Sequence, residues 1–411
     1  MNEQPINIKS EIGKLRRVIL HRPGEELENI TPETMTDMLF DDIPYLKVAR
    51  QEHDAFAKLL RERGAEVLYY NQLAAGALSD DVVREKFVEQ LLHESKQNDR
   101  HATRALKQYL MEMDAQTMVN KVMAGVRKRD VKLANENSAN LEAMVAEDNF
   151  PFFLTPMPNL YFSRDYAAAM GSGLTINHMT FGARKRDSLF MEYIMRYNPL
   201  FANKNVPVWY DRHERWNMEG GDEQIWTKDT VAVGLSQRSS PGAIEKLAER
   251  LLRAREFKRV VALEIPKSHA LMHLDTVMTN IDYNKFTVFP EIMDKMGDMN
   301  IFILTLEGEK IRIQHRENLL DVVREVFGRE DMQLIPTGGG DQIAAEREQW
   351  NDGSNTLAIA PGVVVTYDRN YVSNAMMRKA GVEVLEISGA ELGRGRGGPR
   401  CMSMPIWRED L

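Results

Sequence analysis

The feature that most restricts the folds open to this chain is a unit that recurs after Pro151. Thr175 to Phe181 reads as a strand, Arg184 follows, and a helix runs through Leu189, Tyr193 and Ile194. Thr230 to Leu235, Arg238 and a helix opened by Ser240-Pro241 and continued through Ile244, Leu247 and Leu251 give the same order. Val363 to Tyr367, Arg369 and a helix from Val372 to Arg378 give it again. Ahead of these units stand the polar corners Arg164-Asp165, Gly220-Gly221-Asp222 and Gly339-Gly340-Asp341. A fourth corner, His273-Leu274-Asp275, precedes a hairpin-like stretch from Val277 to Val288 and a helix near residue 290. Units of strands plus one helix bury their apolar faces by stacking, and units that close in a ring bring their corners together at the centre. The expected class is α/β, with repeated strand-strand-helix-strand units.

The N-terminal region fits the same scheme. Leu15 to Arg22 reads as a strand closed by Pro23-Gly24, and Thr31-Pro32 reads as the start of a helix. Residues 38–44 read as a loop, 45–63 as a helix ending at Gly64, and 65–70 as a strand. Between Pro44 and Pro151 there is no proline, and from about 79 to 148 the residues are strong helix formers with Gly125 as the only breaker. This predicts an inserted helical subdomain of four or five helices at 79–148, interrupting a body formed by 1–78 and 149–411. With 411 residues, 43% of them hydrophobic, the chain can bury a large core. Its net charge of −8, with both signs interspersed, argues against nucleic acid as a partner. The first fourteen residues lack an apolar signal-peptide core and no run approaches a membrane span, so a cytoplasmic protein is expected.

One cysteine is present, Cys401, inside the run Gly393-Arg394-Gly395-Arg396-Gly397-Gly398-Pro399-Arg400-Cys401. A lone cysteine forms no intramolecular disulfide, and this one is flanked by four glycines and by Arg394, Arg396, Arg400 and Arg408, a setting that suits a reactive thiol. A nucleophilic sulfur needs a proton partner, and His273 is the candidate, with Asp275 two residues on, on the same face if the segment is a strand. Glu219 and Asp222 are two carboxylates separated by glycines, and Asp165 is a third acid beside Arg164. Acids around a thiol oppose its ionisation, so such a site is sensible only if the substrate brings positive charge. A planar guanidinium matches paired carboxylates and offers its central carbon to attack. Arg184, Arg238 and Arg396 would then meet a carboxylate at the far end of the ligand. Plainer readings stand beside these: Gly-Gly-Asp is a common turn, Arg164 and Asp165 form an ordinary surface pair, Arg184 is a solvated charge in a basic run, and Arg396 keeps a glycine loop soluble.

Five stretches together resemble the arginine deiminase family of the guanidino-group-modifying, or pentein, superfamily: Leu39 to Ile43, Asn159 to Asp165, Glu219 to Asp222, His273 to Thr276 and Arg400 to Pro405. The resemblance covers the whole chain. It implies a five-bladed, pseudo-symmetric α/β propeller around a central pocket, with 79–148 as the helical insertion of the bacterial members. It implies hydrolysis of L-arginine to L-citrulline and ammonia, with Cys401 as nucleophile and His273 as acid and then base. Asp165 and Asp275 would grip the guanidinium and Glu219 would support His273. Asn159, Arg184, Arg238 and Arg396 would hold the amino-acid end, Phe162 would pack on the substrate and Asp222 would line the pocket. No metal and no cofactor are implied, and the family forms dimers and tetramers. The runner-up activities are agmatine deiminase and amidinotransferase, and from another class an idle arginine-binding or adhesion protein. The three arginines argue against agmatine, which lacks a carboxylate, and the Cys-His-carboxylate set argues against a pure binder.

Overall fold

The computed structural model describes residues 4–95, 100–131, 150–292 and 298–411 of the chain. Five sheets share one plan, in which a middle strand pairs antiparallel with one neighbour and parallel with the other. In the first, β1 (Leu15–Leu20) lies between β2 (Glu66–Tyr69), parallel, and the C-terminal strand β19 (Met404–Arg408), antiparallel, so the two ends of the chain share a sheet. β3 (Val126–Arg127) and β4 (Phe152–Leu154) form a separate antiparallel pair, and the three-strand arrangement recurs in β5 (Ala167–Met170), β6 (Gly173–Ile176) and β7 (Val208–Tyr210). It holds for β8 (Glu223–Thr227), β9 (Thr230–Leu235) and β10 (Arg259–Glu264), a sheet that β13 (Asp298–Glu307) and β14 (Lys310–Asn318) extend to five strands. It holds again for β11 (Met278–Asp282), β12 (Lys285–Val288) and β15 (Gln333–Pro336), and for β16 (Leu357–Ala360), β17 (Val363–Tyr367) and β18 (Glu383–Ile387).

The plan follows from chain geometry. An antiparallel pair closes with a tight turn, as Gly171 (φ +58°) does between β5 and β6 and Gly362 (φ +69°) between β16 and β17. A parallel partner needs a crossover, and helices Leu46–Glu62, Asp187–Tyr197, Pro241–Arg253 and Tyr371–Lys379 supply it in four of the units. The fourth unit, from β12 to β15, crosses instead through the β13–β14 hairpin and helix Leu319–Phe327. Strands covered on both faces read as apolar runs, and β9 has its first five residues buried. The helix Pro241–Arg253 buries Ala243, Ile244, Leu247, Ala248, Leu251 and Leu252, the three-and-four spacing of a single stripe.

The structure departs from the expectations in three places. Residues 32–39 are successive turns and not a helix: Leu39 takes a left-handed conformation (φ +64°) and the Phe40 N–H returns to the Met35 carbonyl at 2.9 Å, which ends the run. Near residue 290 only the short 3-10 turn Pro290–Ile292 is described, and residues 293–297 lie outside the described residues. In the helix-rich stretch, Asp81–Glu94, Arg100–Met111 and Ala115–Ala124 are helices, the first and last capped by the side chains of Asp80 and Asp114. Residues 132–148, which the helical reading also covered, lie outside the described residues apart from their flanks. Leu91, Leu106, Val119 and Met123 from these helices pack in one apolar cluster with Tyr70, Phe190 and Ile194, so they share a core with the sheets.

Candidate active site

A polar corner immediately precedes the first strand of each of the five units. Phe162 to Asp165 leads into β5, Glu219 to Asp222 into β8, His273 to Asp275 towards β11, Asp352 to Asn355 towards β16, and Arg400-Cys401 towards β19. The expected corner at Gly339-Gly340-Asp341 is not one of them. Asp341 is exposed and caps helix Gln342–Trp350, accepting the Ala344 N–H at 2.7 Å. The true fifth corner, Asp352-Gly353-Ser354-Asn355, escaped notice because it reads as a plain turn. Its position just ahead of the 357–367 strand pair was the signal that could have found it.

Cys401 is buried. Its sulfur accepts an N–H from Asn355 Nδ2 at 3.0 Å, and its backbone N–H donates to Asn355 Oδ1 at 3.0 Å. One amide therefore fixes both the sulfur and the main chain of the cysteine. Asp275 Oδ2 lies 3.5 Å from the sulfur. The close approach of the loop needs glycine: a Cβ on Gly397 would fall 2.3 Å from the Phe162 ring and 3.1 Å from Cys401 Cβ. Phe162 itself packs at 4.0 Å on Tyr161. Burial first, and then the charges of Asp275, Asp165 and Asp352, push the thiol well above its ordinary value, with Arg400 opposing. The four arginines read as electropositive flanks do not surround the sulfur. Arg394 turns to Asp42 and Glu391, and Arg408 donates to the carbonyls of Gly13 and Ala358. Arg400 is buried between Glu11, at 3.2 Å, and Asp275, at 2.8 Å. Glu11, which the sequence reading missed, is held at about 2 by Arg400 and Arg164 although burial alone would raise it.

His273 stands at the start of the helical turn Leu274–Val277, not in a strand as expected. Its Nε2 is 2.9 Å from Glu219 Oε2 and its Nδ1 is 3.8 Å from Asp165 Oδ1. Gly221 permits this approach, because a Cβ there would fall 2.6 Å from the imidazole. Burial lowers the affinity of His273 for a proton, but Asp165, Glu219 and Asp222 outweigh it and raise the group to about 9. Burial works against ionisation of Glu219 too, yet Arg238, at 2.9 Å, and His273 hold its carboxyl well below the usual range. Asp222 has both oxygens engaged, by the Ser236 hydroxyl at 2.7 Å and the Leu274 N–H at 2.9 Å, so it braces the turn that carries His273 and Asp275.

At the other side, Arg184 donates to Asp165 at 2.5 Å, to Asp187 at 2.9 Å and to the Asn159 carbonyl at 3.3 Å. Asn159 donates in turn to the Met38 carbonyl at 2.8 Å. Arg238 lies 4.5 Å from the Phe181 ring centre and keeps an Nε–H with no hydrogen-bond partner among the described residues. Arg396 has a left-handed backbone (φ +64°) and places its guanidinium 3.5 Å from the Trp350 ring centre and 3.6 Å from Asp41. A cavity of about 360 Å³ beside it is lined by Asp41, Asp42, Trp350, Arg369 and Arg394. The structure therefore brings Cys401, His273, Glu219, Asp165 and Asp275 into one buried cluster, with Phe162, Arg184 and Arg238 against it, Asp222 and Asn159 bracing it and Arg396 beside the outer cavity.

Comparison with known proteins bears on the fold and the family. The fold is similar to that of dimethylarginine dimethylaminohydrolase in its adduct with S-methyl-L-thiocitrulline, at TM-score 0.51 and 12% identity, covering 95% of this chain and 99% of that one. It is similar as well to the N-terminal domain of a cyanobacterial arginine dihydrolase, at TM-score 0.53 and 10% identity over 95% of this chain and 97% of that one. Five like α/β units whose corners meet at a buried cysteine, a histidine and carboxylates define an α/β protein built around a single thiol site. The arginine deiminase family model matches residues 36–408. Arginine deiminases of Bacillus cytotoxicus and Staphylococcus epidermidis are 55% and 51% identical to this chain, each over the full length of both proteins. The chain belongs to the arginine deiminase family.

Proposed function

We propose that the chain hydrolyses L-arginine to L-citrulline and ammonia through a covalent amidino intermediate on Cys401. The observation that carries this reading is the closed cluster itself: a sulfur beside Asp275, and an imidazole tied to Glu219 with its other nitrogen facing Asp165. The carboxylates Asp165 and Asp275 receive the guanidinium. Its positive charge offsets theirs, so the thiol gives up its proton to solvent as the substrate binds. The sulfur adds to the central carbon, and His273, charged at neutral pH, protonates the departing amino group through Nδ1. Ammonia leaves and the amidino thioether remains. Neutral His273 then takes a proton from water, the oxygen adds to the same carbon, and the carbon–sulfur bond breaks to release citrulline and the thiolate. Glu219 holds His273 throughout.

Phe162 walls the pocket, Asp222 and Asn159 position its loops, and Arg184, Arg238 and Arg396 serve the amino-acid end. Arg184 and Arg238 do so from behind the carboxylates they pair with. We read the five sheets as the blades of a pseudo-symmetric α/β propeller, with 79–148 as a helical insertion into a body of 1–78 and 149–411. A homo-oligomer, dimer or tetramer, in the cytoplasm completes the proposal; among the described residues no helix is long and apolar enough to cross a membrane. The test is incubation with L-arginine and, separately, agmatine. Citrulline and ammonia in equal amounts from arginine alone are expected, and turnover of neither would overturn the reading.

A further inference from the structure

The sulfur of Cys401 sits between one donor and one acceptor. Asn355 Nδ2 donates to it at 3.0 Å, and Asp275 Oδ2 accepts from the thiol at 3.5 Å. The direction of the Asn355 amide is fixed by two main-chain groups that cannot exchange roles. The Cys401 N–H only donates, so it holds Oδ1, at 3.0 Å, and the Asp275 carbonyl only accepts, so it holds Nδ2, at 3.2 Å. Nδ2 therefore carries its hydrogens on the side of the sulfur. Asn355 is fully buried, and its approach depends on Gly398, where a Cβ would fall 2.6 Å from the Asn355 carbonyl oxygen and 2.9 Å from Oδ1. Its neighbours are tied down on both sides. The Ser354 carbonyl accepts the Thr279 hydroxyl at 2.8 Å, and the Thr356 hydroxyl lies 2.8 Å from that of Thr279. Among the charged groups that act on the sulfur, Asp275, Asp165 and Asp352 oppose a thiolate and Arg400 favours one. Arg400 is engaged by Glu11 and Asp275, so Asn355 is the one hydrogen-bond donor that the sulfur has among the described residues.

This inference rests on the proposed activity, in which the sulfur is a thiolate twice, once as nucleophile and once as the group expelled when citrulline leaves. The two contacts answer that change in opposite ways. Loss of the proton turns the Asp275 contact from a hydrogen bond into a repulsion, which the bound guanidinium relieves. The Asn355 contact becomes charge-assisted and stronger. An interaction that grows as charge develops on the reacting atom lowers the barrier, whereas one of constant strength does not. We infer that Asn355 is a further catalytic residue, its Nδ2–H the fixed donor that stabilises the Cys401 thiolate in both half-reactions.

The experiment compares the wild-type chain with Asn355→Ala and Asn355→Asp and reads two quantities, turnover of L-arginine and the rate of alkylation by iodoacetamide as a function of pH. Cys401 is the only cysteine, so alkylation reports its ionisation alone, without substrate. Asn355→Ala removes both bonds. Asn355→Asp keeps an oxygen for the Cys401 N–H and, once ionised, has no donor for the sulfur. Asn355→Ala should lower kcat by about 100-fold with KM changed less than about threefold, and should move the midpoint of alkylation up by about one pH unit. Asn355→Asp, which sets a further negative charge against the sulfur, should lower kcat more and move the midpoint higher still. A loss of kcat with the midpoint unchanged would mean that Asn355 only shapes the loop, and would overturn the assignment; so would wild-type kcat in either variant. Should Asn355→Ala fail to fold, Asn355→Asp retains the main-chain bond and decides the matter alone. A wild-type chain that turns over neither L-arginine nor agmatine would overturn the proposed activity, a failure seen before any variant is made and distinct from a failure of Asn355, which leaves wild-type turnover intact.

Discussion

The two ends of the buried cluster are built on opposite rules. At the reacting end each side chain is held by a short bond to another: Cys401 to Asn355, His273 to Glu219, Asp275 to Arg400 and Asp165 to Arg184. At the outer end Asp352 takes part in no ion pair among the described residues, and Arg396 keeps Nε and Nη1 without hydrogen-bond partners among them, resting on Trp350 with Asp41 at 3.6 Å. The contrast separates two tasks. Bond-making groups must be in register before substrate arrives, because a misplaced nucleophile or proton donor loses rate steeply. Groups that recognise a ligand are left unmatched so that the ligand is what satisfies them.

The largest break in the comparison is Cys401→Ala, which should lower citrulline formation from L-arginine by at least about 10⁴-fold in a protein with unchanged circular dichroism. Next comes His273→Ala, expected to cost about 10²–10⁴-fold in kcat, since it removes the acid and base but leaves the thiol. Arg400 and Arg396, four positions apart, should then fail in different ways. Arg400→Ala leaves Glu11 and Asp275 buried and unpaired and should cost about 3–5 kcal/mol of stability in denaturant melts. Arg396→Ala should leave that stability nearly unchanged and raise KM for L-arginine by roughly tenfold; equal destabilisation by both would erase the distinction between the two ends.

Two pH effects sharpen the picture further. His273 must hold a proton to expel ammonia, so kcat/KM should fall as pH rises through about 9, and in Glu219→Gln, which removes one of the supporting charges, the fall should move to lower pH. The smallest effect concerns the ligand-free protein. Burial raises Asp352 to about 7, above the ordinary carboxylate value, so its contribution to stability is fully present below about 4 and is lost as pH rises through 7. Asp352→Asn cannot ionise, and its melting temperature relative to wild type should therefore increase between pH 5 and pH 8. A difference that stays flat across that range would mean Asp352 does not ionise there.

Much of the site was legible along the chain because each corner brings its own chemistry within a few residues. Cys401 is the only cysteine, Glu219 and Asp222 are spaced by glycines, and His273 stands two residues from Asp275. The repeat was legible too, since each strand-arginine-helix run carries its own periodicity. Local turn chemistry was less so: Gly339-Gly340-Asp341 and Asp352-Gly353-Ser354-Asn355 are alike as polar turns, and only the strand each one precedes tells them apart. The helix expected at Thr31 stops short because Leu39 leaves the right-handed region and the Phe40 N–H returns to the Met35 carbonyl, a backbone departure that a propensity reading does not weigh.

By itself the sequence determined which groups this protein has to work with and which repeating unit presents them, because periodicity and residue type are local properties. Only the tertiary structure decided their partners. Arg400 meets Glu11 across 389 positions, Arg184 turns to Asp165 and not to solvent, and Asn355 closes on the sulfur of a cysteine 46 residues away. In a low-dielectric interior those pairings set which carboxylates stay charged and keep the thiol protonated, and none of them is encoded within a single stretch of chain.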